Sequence, residues 1–216
     1  MKRTLPALLF ATALTVTGCL QKDTTSTMYL RADGSFDWVV LDASVRSDEK
    51  DPARRSEEER GYITAVHNGE DDVTRGFRSL GGTNLGTTVL RDRVPYSVLR
   101  SATFDRIDRI FERELKACNI PYRSEFKTDG AVTTWTLTVK ILPEPDAPPN
   151  CEGDGVDALF TDAGDHLRIV LESGSFLAVT GFTRIGDDAV ELPDVSSETI
   201  EKNNGVLVFS LSWKQA

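Results

Sequence analysis

The chain is poor in the residues that most often announce chemistry. Of its 216 residues, three are cysteine and two are histidine. The histidines, His67 and His166, stand apart: no His-Glu-x-x-His helix offers a zinc pair, and no Cys-x-x-Cys spacing exists. No Gly-x-Ser-x-Gly elbow presents a serine nucleophile. There is no internal repeat and no coiled-coil pattern. No apolar run reaches the roughly 20 residues that a membrane-crossing helix needs. These absences leave each histidine as an acid–base candidate only where a nucleophile and an orienting carboxylate meet it in space. His67, near the end of an expected helix, is favourable to the helix dipole without any catalytic role.

The start of the chain carries the most information. Lys2 and Arg3 form a short positive region, and an apolar stretch follows from Leu5 to Val16, broken by Pro6, Thr12 and Thr15. Its length and flanks are those of a secretory signal. It ends in Val16-Thr17-Gly18-Cys19, which resembles the lipobox of bacterial lipoproteins: an aliphatic residue, a small residue, Gly or Ala, then an obligatory Cys. The resemblance covers the first 19 residues. It implies that lipid is attached to the Cys19 thiol, that signal peptidase cuts before it, and that palmitate or a similar chain is added to the new terminus. Two or three acyl chains anchor stably where one would be marginal. The class then implies a cell-envelope location. Leu20, where Asp would resemble the inner-membrane retention signal, favours the outer membrane if the host follows the enteric sorting rule.

The expected organisation is a cleaved signal over 1–18, a lipidated tether over 19–27 and an envelope domain over 28–216. The tether's eight residues from Leu20 to Thr27 would reach about 28 Å at most, at roughly 3.3–3.6 Å per residue. Loss of Lys2 and Arg3 leaves 23 of the 25 basic residues against 34 acidic ones, a formal balance of −11. An acidic domain is a poor nucleic-acid ligand and is repelled by anionic headgroups. Lipid, and not surface charge, must hold it to the membrane. Cys118 and Cys151 remain as a pair, which in an exported protein reads first as a disulfide and otherwise as two buried thiols.

Along the chain, Tyr29 to Val40 reads as a β-hairpin turned by Asp33-Gly34, both at positive φ, with Phe36, Trp38 and Val40 on one face. Asp51-Pro52 reads as a cap and first residue of a helix that Asn68-Gly69 ends. Val73, Phe77 and Leu80 suggest a second short helix. Thr87 to Val94 reads as a strand closed by Pro95. Phe104, Ile107, Ile110, Phe111, Leu115 and Cys118 line one face of the clearest helix. Strands follow at 122–127 and 131–142 around Asp129-Gly130, at 167–172 and 176–182 around Ser173-Gly174-Ser175, at 189–192, and at 206–213 after a short polar helix near 196–203. Pro143 to Gly155 is a loop or a sub-domain boundary. This pattern predicts an α+β fold, mainly an antiparallel sheet of hairpins with two to four helices.

Other clusters read more simply as structure than as chemistry. Gly81-Gly82-Thr83-Asn84-Leu85-Gly86 lacks the Lys and Ser or Thr of a phosphate loop, and reads as a helix stop. Asp146, Asp154, Asp157, Asp162 and Asp165 do not follow the calcium-loop spacing and read as a solvated acidic loop. Trp38, Trp135 and Trp213 lie in alternating strand patterns and read as packing. Glu57-Glu58-Glu59 reads as a solvated helix face, with a protein-binding face as the functional alternative.

No motif implies a cofactor or metal. The leading expectation is a non-catalytic, membrane-tethered domain that binds or supports an envelope partner. A hydrolase with a site assembled from scattered residues is the second, and a carrier with an apolar cavity the third.

Overall fold

A computed structural model describes residues 20–117, 119–141, 167–193, 195 and 197–214. Its elements confirm the α+β class. In chain order they are β1 (Leu20–Leu30), β2 (Phe36–Ser47), α1 (Pro52–Asn68), α2 (Asp72–Ser79), β3 (Thr83–Arg91), β4 (Tyr96–Phe104) and α3 (Ile107–Ala117). Then come β5 (Tyr122–Asp129), β6 (Val132–Lys140), β7 (Leu167–Leu171), β8 (Ser175–Thr180), β9 (Thr183–Arg184), β10 (Ala189–Glu191), α4 (Ser197–Lys202) and β11 (Val206–Lys214).

The strands form two sheets. Sheet A runs β3-β4-β2-β1-β7-β10-β9, and sheet B runs β5-β6-β11-β8. Every pairing is antiparallel except β1 with β7, where Ser26 to Leu30 match Leu167 to Leu171 in parallel. The strands flanking Ser173-Gly174-Ser175 therefore do not form a hairpin: β7 joins sheet A and β8 joins sheet B.

The core follows from alternation. Met28 and Leu30, Phe36 and Val40, Ala102 and Phe104, and Ile169 and Leu171 all point to one side of sheet A and are buried. Across sheet B, Trp135 faces Leu211, Leu137 faces Phe209 and Val139 faces Leu207, all buried. Ile107, Ile110, Phe111 and Leu115 of α3 join both sets in a single core, where Phe111 and Trp135 meet with ring centroids 5.0 Å apart. Phe77 of α2 adds to a cluster with Trp38 and Phe104.

The helix ends were legible in the sequence. The Asp51 carboxylate accepts from the backbone N–H of Ala53 at 2.8 Å and of Arg54 at 3.3 Å, with Pro52 next. Gly69, at φ 66°, closes α1.

Three expectations need correction. Residues 20–27 are not a tether but most of β1, hydrogen-bonded to β2 along its length. The first hairpin is wider than a two-residue turn. Arg31 N–H donates to Ser35 O, and only Gly34, at φ 85°, takes the left-handed conformation, while Asp33 accepts from Ser35. Phe104 does not begin α3; it ends β4, a strand the sequence reading passed over.

Candidate functional site

The densest chemistry among the described residues lies inside sheet A. Asp42 on β2 and Arg100 on β4 point to the core side of neighbouring strands and are 0% and 1% exposed. Across the ladder Asp42 faces Val98, which makes Arg100 its diagonal neighbour. The Arg100 Nη2 lies 2.5 Å from Asp42 Oδ2. Its Nη1 donates to the Tyr62 hydroxyl of α1 at 3.2 Å, and that hydroxyl donates to Asp42 at 3.3 Å. Thr24 Oγ1 donates to the other Asp42 oxygen at 2.7 Å, and Lys22 Nζ reaches Asp42 at 3.1 Å. Arg100 Nε has no hydrogen-bond partner, and Asp71 Oδ1 lies 3.6 Å from it. Asp71 meanwhile caps α2, accepting from Thr74 N–H at 3.2 Å and from its hydroxyl at 2.6 Å.

Burial alone would push the Asp42 carboxyl up, but the Arg100 guanidinium and the Thr24 and Lys22 donors hold it below the ordinary value. Burial lowers Arg100, and Asp42 more than reverses it, so the guanidinium stays charged. Burial and the Asp42 charge push the Tyr62 hydroxyl up to about 12. At neutral pH the cluster is thus Asp−, Arg+ and a protonated tyrosine, each engaged with the others. Lys22 is the member that opens to solvent. The arrangement joins β1, β2, β4, α1 and the start of α2 at one point.

The residues singled out in the sequence do not converge on it. His67 is exposed in the last turn of α1. His166, Cys19, Cys118, Cys151 and the five acids of 146–165 lie outside the described residues. The Gly81–Gly86 run ends α2 and opens β3, as a helix stop should. Trp135 and Trp213 are buried in sheet B, and Trp38 packs on Phe77 and donates to Ser26 at 2.6 Å, so all three serve packing.

The glutamate run is only partly solvated. Glu58 accepts from the Ser47 hydroxyl, and buried Glu59 accepts from Ser47 N–H at 3.2 Å, which pins α1 to the end of β2. Two Ser-x-x-Lys spacings escaped sequence reading, Ser47/Lys50 and Ser124/Lys127. Ser47 is committed to Glu58. Ser124 and Lys127, three apart on β5, point to opposite faces, and Lys127 pairs with Glu125 at 2.6 Å. Neither makes a nucleophile–base pair.

Among the described residues, no three His, Cys, Asp or Glu side chains are grouped to hold a metal ion. No helix among them is long and apolar enough to cross a membrane. Open depressions lie on the surface formed by the described residues. One, beside the start of β1, is lined by Leu20, Gln21, Lys22, Asp23, Ser44 and Arg46. Another runs along α1 between Glu57 and Glu70. Neither is lined by an aromatic side chain.

Fold and site together define an α+β domain of two sheets around one core, braced by a buried ion cluster. No protein-family model matches the chain, and no curated protein matches its sequence. Among solved structures, the folded domain of the LppM protein from Mycobacterium tuberculosis is similar over 90% of each chain, at 9% identity and a TM-score of 0.36. At that score the likeness carries no functional argument.

Proposed function

We propose that the chain is a membrane-anchored envelope lipoprotein whose folded part is a non-catalytic binding or structural domain. The observation that carries this reading is Val16-Thr17-Gly18-Cys19 at the end of a short apolar run. The position of the fold supports it: β1 begins at Leu20, the residue after the cysteine. The non-catalytic part is supported by the ion cluster, in which Asp42, Arg100 and Tyr62 engage one another rather than turning toward a cleft. The proposal includes a disulfide between Cys118 and Cys151, and an envelope protein as partner.

The anchoring is tested in an exporting host. Mature protein should partition into detergent and incorporate labelled palmitate, and Cys19→Ser should accumulate as unlabelled precursor. Processing of that variant at the same site would sink the lipoprotein reading. The non-catalytic part is tested by His67→Ala with His166→Ala, which should leave any cellular phenotype intact in a folded protein. A folded double variant that behaves as a deletion would favour the hydrolase.

A further inference from the structure

One end of sheet A gathers exposed apolar side chains around the point where the anchor would attach. Across the β1–β2 ladder Leu20 faces Ser47, Val45 of β2 faces Tyr96 of β4, and Ser97 faces Arg91 of β3. The start of β1 and the tip of the β3–β4 hairpin therefore project from the same edge of the sheet. They are separated by three strand spacings, about 14 Å at roughly 4.8 Å each. The tip reads Leu90-Arg91-Asp92-Arg93-Val94. Leu90 is 58% exposed, more than any other large hydrophobic among the described residues, and Val94 is 40% exposed and Leu20 37%.

Among the described residues, the apolar side chains of the tip stay exposed. At the other side of this end, covalent structure fixes what lies next to Leu20: Cys19 is one peptide step, about 3.8 Å, away. With β1 hydrogen-bonded from its first residues, the domain has no slack chain with which to stand away from the bilayer. We propose that this edge rests on the membrane surface, with Leu90 and Val94 inserted at headgroup level. The proposal rests on lipidation of Cys19.

The local charge permits this although the whole chain is acidic. Arg91 and Arg93 flank a single Asp92, and among the described residues neither arginine nor Arg46 is held in an ion pair. The acids nearest in sequence to Leu20 and Ser47 are Asp23, Asp48, Glu49 and Asp51, and α1 brings Glu58 and Glu59 against Ser47. Of these, Asp51 caps α1, Asp48 accepts from Gln21, and Glu49 accepts from the N–H groups of Lys50 and Asp51. Two arginines at the tip itself suit phosphate oxygens.

The test uses the mature lipoprotein in vesicles of phosphatidylethanolamine and phosphatidylglycerol, with the photo-crosslinking residue benzoylphenylalanine at position 90. The control carries it at position 185. Ile185 is 49% exposed. It lies at the other end of sheet A, level with Tyr29 through β10 and β7. Tyr29 is nine residues along β1 from Leu20, about 30 Å at roughly 3.3 Å each. Illumination should give several-fold more phospholipid adduct at 90 than at 185, by mass spectrometry of the peptides. Label at position 94 should behave as at 90. A lipidated Cys19 with equal adduct at 90 and 185 overturns the membrane contact and leaves the anchoring intact. An unlipidated Cys19 overturns both. A protein adduct in place of lipid at 90 overturns it in favour of a docking site.

Discussion

Asp42 and Arg100 are diagonal neighbours on adjacent strands, their charged ends 2.5 Å apart, with almost no surface exposed on either. The pair is secured by groups from three other elements: Thr24, Tyr62 and Asp71. Removing one partner leaves the other charge buried. Asp42→Asn should therefore cost about 3–5 kcal/mol of unfolding free energy, toward the lower end because Asp71 stays 3.6 Å from Arg100. Urea unfolding measures it. Replacing both, as Asp42→Leu with Arg100→Met, should recover most of the loss, whereas a single-variant loss under about 1 kcal/mol would show the pair to be marginal.

The cluster also sets the limits of stability with pH. The folded Asp42 carboxyl lies below its unfolded value of about 3.9. Its contribution is therefore complete above about 3.9 and lost as pH falls through the lower folded value. Acid titration of the unfolding midpoint should show wild type losing stability below about pH 4, and Asp42→Asn losing less over that interval. An identical slope in both would assign acid lability elsewhere.

Tyr62 works at the other extreme. Its folded hydroxyl is held up to about 12, against about 10 when unfolded. The stability it adds is complete below about pH 10 and fades as pH rises toward the folded value. Tyr62→Phe should flatten the alkaline limb of the stability profile between those values, read by thermal melts.

How much of this was legible depends on what each strand faces. β6 and β11 face an apolar core, so Trp135, Leu137 and Val139 alternate with threonines and the strands declare themselves. β1 faces the ion cluster with its first half. Thr24 and Ser26 point inward to Asp42 and the Trp38 indole, so the segment looks like a polar tether. β4 has a buried stripe of Tyr96, Val98, Arg100, Ala102 and Phe104, and the arginine in its middle hides the alternation. The acids that face Arg100 are 58 and 29 residues away in sequence, and no local pattern links them. The caps at Asp51 and Gly69 act within a few residues, which is why they could be read.

Gly34 offers a steric prediction. It sits at φ 85°, and a β-carbon there would lie 2.4 Å from the Phe126 ring of sheet B. Gly34→Ala should cost about 1–3 kcal/mol from the backbone alone, and more from the clash. Pairing it with Phe126→Ala should relieve the clash but not the backbone part. A Gly34→Ala protein as stable as wild type in denaturant would show that the hairpin and sheet B separate readily.

The expected Cys118–Cys151 bond closes a ring large enough to remove roughly 3–4 kcal/mol of unfolded-state entropy. Peptide mapping of exported protein should recover the two cysteines as one linked peptide without reductant and as two with it. Alkylation of both thiols before reduction contradicts the bond.

With lipid on Cys19, as proposed, force on that lipid is delivered lengthwise to β1, an interior strand of sheet A. Pulling at Leu20 drags β1 along β2 from its first residue, and along β7 from Ser26 to Leu30, so the β1–β2 ladder takes the load first and β7 adds to it at the far end. A domain attached through a frayed terminus would peel; this one is loaded in shear. A lipidated chain fastened in this way by its middle strand should lose its acyl chains from the leaflet before the fold unravels.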